Sequence, residues 1–87
     1  MSRKQKLINR LYLRPKDFTY DEARTLLGLC GFTEDNKGRT SGSRVMFVNK
    51  ILDRNFRLHK PHPNNILKDY QIKELFELIK TLEVLNG

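Results

Sequence analysis

The sequence has one cysteine, two histidines and no long apolar run. Cys30 stands alone, so no disulfide can form within the chain. No stretch approaches the roughly 20 apolar residues of a membrane-spanning helix. The basic start, MSRKQK, lacks the apolar segment of a secretory signal. These absences predict a soluble cytoplasmic protein that makes no membrane contact.

The length of 87 residues, of which 38% are apolar, predicts one folded domain over residues 1–87. A chain this short buries only roughly 60–65% of its extended surface. Its core is therefore too small to surround a large cofactor, and we expect none.

Positive charge dominates, with 17 basic residues against 10 acidic ones. Residues 1–16 carry six basic groups and no acid, whereas residues 17–36 carry five acids and one basic group. Residues 37–60 again carry seven basic groups and one acid. Two positive blocks separated by a negative one are typical of a polyanion-binding surface. The alternative is a solvated basic face that serves solubility.

Three segments carry apolar residues at helical spacing. The first, KQKLINRLYL, should end before Pro15, because the residue before a proline avoids the α region. The second covers about residues 20–30 and begins with the capping box of Thr19 and Glu22. The third covers about residues 69–84 and has a clear core-facing stripe, formed by Ile72, Leu75, Phe76, Ile79 and Leu82.

Between the second and third helices the pattern changes to three short β segments, at about residues 32–36, 43–49 and 56–60. Consecutive strands without an intervening helix should pair as an antiparallel meander. The predicted class is α+β: a three-stranded antiparallel sheet with helices on one face, in the order α-α-β-β-β-α.

The two-residue period of a strand assigns side chains to the two faces of this sheet. Val45 and Phe47 should lie on one face, and Phe56 and Leu58 should join them in the core. The opposite face should then bring together Arg44, Arg57 and His59.

Two polar segments are candidate sites. The loop NKGRTSGSR combines cations, hydroxyls and glycines, which suit phosphate oxygens. Its candidate phosphate-binding residues are Lys37, Arg39, Ser41 and Ser43. The loop lacks the G-K-[ST] end of a P-loop, and a merely solvated hairpin loop would show the same residues.

The second segment, LHKPHP, holds both histidines. Pro61 and Pro63 fix the backbone after the strand and so stiffen the segment that carries His59 and His62. An imidazole held in this way suits general acid–base work near neutral pH. The alternative is an ordinary polar side chain beside Arg57 and Lys60. A zinc site is disfavoured, because four closely spaced ligands are missing.

The segment from Thr19 to about Leu82 resembles the HicA family, the toxin half of bacterial toxin–antitoxin pairs. The matching elements are CGF at the helix end, GSRVMF in the second strand, LHKPHPNNILK after the third, and the closing helix DYQIKELFELIK. The first helix, within residues 1–16, lies outside this resemblance, as an extension of the 17–87 core.

The resemblance implies a fold like the double-stranded-RNA-binding domain and a metal-independent endoribonuclease that cleaves mRNA and blocks translation. It also implies a HicB-like antitoxin partner, with which the chain would form a hetero-oligomer. In the family motif the catalytic histidine follows glycine and serine, and that position is Arg44 here. His62 occupies the family's H-P position, where it would orient RNA or cap the next segment.

A guanidinium stays protonated, so Arg44 cannot act as a general base. We therefore expect Arg44 to bind the scissile phosphate, and Arg57 and Lys60 to contribute to RNA binding. His59 is then the candidate acid–base residue, because it shares a face with Arg44. The alternative is a non-catalytic module that binds RNA or its antitoxin and has lost the family's histidine.

Overall fold

The computed structural model describes residues 2–35, 44–61 and 64–86, without the side chains of residues 44, 85 and 86. Three helices and three strands follow one another as α1 (Arg3–Tyr12), α2 (Tyr20–Leu29), β1 (Thr33–Asp35), β2 (Arg44–Asn49), β3 (Arg54–His59) and α3 (Asp69–Asn86). The strands form one antiparallel sheet in the order β1-β2-β3. The predicted α+β class and element order are confirmed.

Both ends of α2 follow from local sequence. The Thr19 hydroxyl accepts from the Glu22 N–H at 3.1 Å, and the Glu22 carboxylate accepts from the Thr19 N–H at 3.0 Å, so the predicted capping box is present. At the other end Gly31 has φ 95°, and the Phe32 N–H donates to the Leu27 carbonyl at 2.9 Å. This Schellman motif turns the chain from α2 into β1.

The strand boundaries differ from the prediction at β3, which begins at Arg54 rather than Phe56. Arg54 and Asn55 resemble turn residues in sequence, but both pair with β2, opposite Asn49 and Val48. In the turn between β2 and β3, Asp53 adopts a left-handed backbone conformation with φ 54°. Pairing with a neighbouring strand thus overrides the weak local preference of these polar residues.

The core lies between the sheet and the helices. Phe47 and Leu58 are buried on the inner face of the sheet, and Val45 and Phe56 pack partly buried beside them, as predicted. Helix α3 covers this face through four fully or nearly fully buried positions: Ile72, Leu75, Ile79 and Leu82.

Helix α1 belongs to the same core, since Ile8 and Leu11 are buried in it. The Arg10 guanidinium fastens α1 to the start of α2 through ion pairs with Glu22 at 2.7 Å and Asp17 at 2.9 Å. Among the described residues, no helix combines the length and apolar character needed to cross a membrane.

Candidate nucleic-acid interface

The face of the sheet that the helices leave uncovered, called the open face here, consists of three cross-strand rows. In the first row, the β2–β3 register sets Arg44 directly opposite His59. The second and third rows run across all three strands as Asp35–Met46–Arg57 and Thr33–Val48–Asn55.

The first row contains two of the positions that the sequence predicts to be catalytic. Directly opposite residues of an antiparallel pair have Cα atoms roughly 4.5–5.5 Å apart and share a face of the sheet. The structure therefore brings positions 44 and 59 together, as the sequence analysis expected. The His59 side chain is exposed on this face, and so is that of Arg57.

A shallow depression of about 200 Å³ adjoins this end of the sheet. It is lined by Val45, Arg57, Leu58 and His59. The exposed His59 imidazole at the rim of this depression is accessible to a ligand.

Charge on the open face increases from β1 towards β3. Asp35 carries a carboxylate at the β1 side of the second row, and Arg57 carries a guanidinium at the β3 side. The first row places positions 44 and 59 on β2 and β3 as well. A polyanion would therefore be held best along the β2–β3 half of the face.

The basic start of the chain does not extend this surface. Helix α1 packs on the helical side of the sheet, and Arg10 is bound by Glu22 and Asp17 of the acidic block. The Arg14 guanidinium lies 5.7 Å from the centre of the Phe76 ring. Arg10 and Arg14 of the first positive block thus lie away from the open face, and Arg10 is neutralised by the acids that follow it.

Lys60 directly follows β3 and leaves the open face. Its ammonium lies 5.9 Å from the centre of the Tyr20 ring, at the start of α2. Tyr20 is nearly fully buried, and this burial, ahead of the nearby Glu34 charge, raises the pKa of Tyr20 to about 12. The exposed Lys60 thus lies at the margin of the open face.

Several predicted site residues lie outside the described part of the chain: Lys37, Arg39, Ser41, Ser43 and His62. The phosphate-binding loop and the role of His62 thus stay predictions. Within the described residues, no group of three or more histidine, cysteine, aspartate or glutamate side chains could hold a metal ion. Cys30 is half-buried, as expected for a small apolar side chain, and its burial raises the pKa of the thiol.

One residue at this end of the sheet was missed by the sequence analysis. Gln71, in the first turn of α3, donates its side-chain N–H to the His59 carbonyl at 2.8 Å. Its side-chain oxygen accepts from the Lys68 N–H at 2.9 Å. The sequence offered one signal: a glutamine three residues after the residue that precedes the helix can accept from that residue's N–H, as in a capping box. No sequence pattern indicated the contact with His59.

Comparison with known proteins found no matching family model, no matching curated protein and no matching solved structure. The resemblance to the HicA family therefore stays a prediction that depends on the motifs quoted above.

Proposed function

We propose that this protein binds RNA on the β2–β3 half of its open face and cleaves it there without a metal ion, as the toxin of a toxin–antitoxin pair. The observation that carries the proposal is the pairing of Arg44 with His59 at the end of the ladder. One position supplies a permanent cation and the other a group that can take up a proton.

These two groups suit RNA cleavage through the ribose 2′-hydroxyl. The His59 imidazole accepts the 2′-hydroxyl proton, and the freed oxygen attacks the adjacent phosphorus. The bond to the 5′-oxygen breaks, and that oxygen takes a proton from the imidazolium or from water. The products are a 2′,3′-cyclic phosphate and a 5′-hydroxyl. The Arg44 guanidinium offsets the negative charge that develops on the phosphoryl oxygens.

The partly buried Met46 and Val48 occupy the middle strand of the same face. Apolar side chains beside a cationic row also suit a protein partner that covers the face. In the proposed system this partner is a HicB-like antitoxin, which would block RNA access by occupying the face.

The test is incubation of purified protein with mRNA in EDTA. The wild-type chain should release fragments that end in a 2′,3′-cyclic phosphate. Loss of a general base typically slows a reaction by about 10²–10⁴-fold, and we expect this for His59→Ala with RNA binding retained. The matched control is Asn55→Ala, which alters the same strand and face without removing a proton acceptor.

The second candidate is an RNA-binding module without catalysis. It is favoured by Arg44 itself, because the family's catalytic position holds a group that cannot accept a proton. Intact RNA with a strongly salt-dependent mobility shift would support the binder. Cleavage by the wild-type chain that continues unchanged in His59→Ala would reject the assignment of His59.

A further inference from the structure

Gln71 is a buried polar residue whose two hydrogen bonds serve different elements. Gln71 is only 3% exposed. Among the described residues, Asn49 is the other buried polar residue. The oxygen of the Gln71 amide accepts from Lys68 at the start of α3. The nitrogen donates to the carbonyl of His59, the last residue of β3.

The two bonds make different demands on the side chain. Accepting from the Lys68 N–H is the half of a capping box that either glutamate or glutamine performs, and glutamate would add a favourable charge at the helix start. Donating to the His59 carbonyl requires an N–H, which a glutamate carboxylate lacks. Glutamine is therefore explained by the bond to β3 rather than by capping alone.

The bond acts at one end of the described ladder. Among the described residues, Arg44 and His59 form the last pair of the β2–β3 register. Strand and helix ends open locally at lower free energy than element centres. A hydrogen bond from buried α3 to the His59 carbonyl opposes this opening.

We infer that Gln71 is a positioning residue, which holds the end of β3 against α3 and thereby keeps His59 opposite Arg44. This inference rests on the proposed function for its effect on catalysis. The hydrogen bond from Gln71 reaches the backbone carbonyl of His59, and Gln71 is assigned no role in RNA binding, so its loss should lower kcat and leave KM for RNA nearly unchanged.

The test variant is Gln71→Glu, which keeps the acceptor for Lys68 and removes the donor to His59. Asn49→Asp is its matched control. Asn49 donates to the Cys30 carbonyl at 3.2 Å and accepts from the Leu52 N–H at 3.0 Å, so aspartate there also loses a donor to a backbone carbonyl. Asn49 pairs with Arg54 at the far end of the same ladder from His59.

Misplacing a catalytic group by about 1 Å can cost about 100-fold in rate, so we expect Gln71→Glu to lower kcat by at least about tenfold with KM within about twofold. Asn49→Asp should keep kcat even where its unfolding midpoint falls equally. Equal kcat losses in both variants, or no loss in either, would overturn the inference. If Gln71→Glu does not fold, Gln71→Met removes both hydrogen bonds without a buried charge, and Asn49→Leu, which likewise removes both bonds of Asn49, is its control.

Amide hydrogen exchange separates this inference from the proposed function. Exchange at residues 44–45 and 58–59 should accelerate in the Gln71 variant and stay at the wild-type rate in Asn49→Asp. A wild-type chain that leaves RNA intact refutes the proposed function by itself. In that case, faster exchange confined to the Gln71 variant still supports the positioning role of Gln71 at the end of β3. Equal exchange in the two variants refutes that role.

Discussion

At the scale of single residues, Gly28 in the last turn of α2 and Gly31 just after the helix have opposite requirements. Gly31 has φ 95°, and a Cβ there would lie 3.1 Å from the Asn49 amide nitrogen. Gly28 has an ordinary helical backbone, and a Cβ there would meet nothing within 4 Å. Of these two positions, only position 31 requires a glycine, because its φ is positive.

We therefore expect Gly31→Ala to lower the free energy of unfolding by about 1–2 kcal/mol, because a left-handed residue with a Cβ is strained. Gly28→Ala should raise it by about 0.5–1 kcal/mol through better helix propensity. Urea unfolding of both variants measures the difference. Equal effects would show that the Schellman turn does not depend on glycine.

At the scale of elements, α1 and α2 are joined by an ion pair that depends on pH. Burial raises the pKa of the Glu22 carboxyl, but the hydrogen bonds from Arg10 and Thr19 outweigh burial and lower it overall. Because the folded-state pKa lies below the unfolded-state one, the ionised group stabilises the fold at neutral pH. That contribution disappears as pH falls through the folded-state pKa.

Glu22→Gln keeps a capping side chain and removes the charge. We expect it to lower the free energy of unfolding by about 0.5–1 kcal/mol at pH 7, since the pair is partly exposed. The difference from wild type should shrink on acidification. Urea titrations over pH measure it, with Glu74→Gln, an exposed carboxylate on α3, as the control. A difference that does not change with pH would contradict the assignment.

The elements were largely predictable from sequence because their signals are local. Alternation over residues 44–48 placed Val45 and Phe47 inward, and the same rule for β3 then placed His59 outward. The start of β3 was missed, because Arg54 becomes a strand residue only through its partner Asn49. The Gln71 bond was missed for a similar reason: Gln71 and His59 lie 12 positions apart in sequence and meet only in the folded chain.

At the scale of the whole molecule, the net charge of +7 does not describe the proposed binding surface. The helical side holds α1, whose Arg10 is in ion pairs, whereas the open face holds Arg57 and the Arg44–His59 row. The proposed RNA-binding surface is therefore one half of one face, which the sum of charges along the sequence could not locate.

This separation predicts different salt dependence for cations on the two sides. Each phosphate contact adds roughly one unit to the slope of log affinity against log salt. Arg57→Ala should reduce the slope for RNA binding by about one, whereas Lys73→Ala, an exposed cation of α3 on the helical side, should leave it unchanged. Equal reductions would mean that RNA does not select the open face.

Arg44 and His59 are proposed to act together on one phosphate. The most direct measurement is a double-mutant cycle on the rate of RNA cleavage in EDTA, with Arg44→Ala, His59→Ala and the double variant. We expect each single change to abolish most of the rate and the double variant to be scarcely slower than the worse single one. Independent, multiplicative losses, or an undiminished rate in His59→Ala, would contradict it.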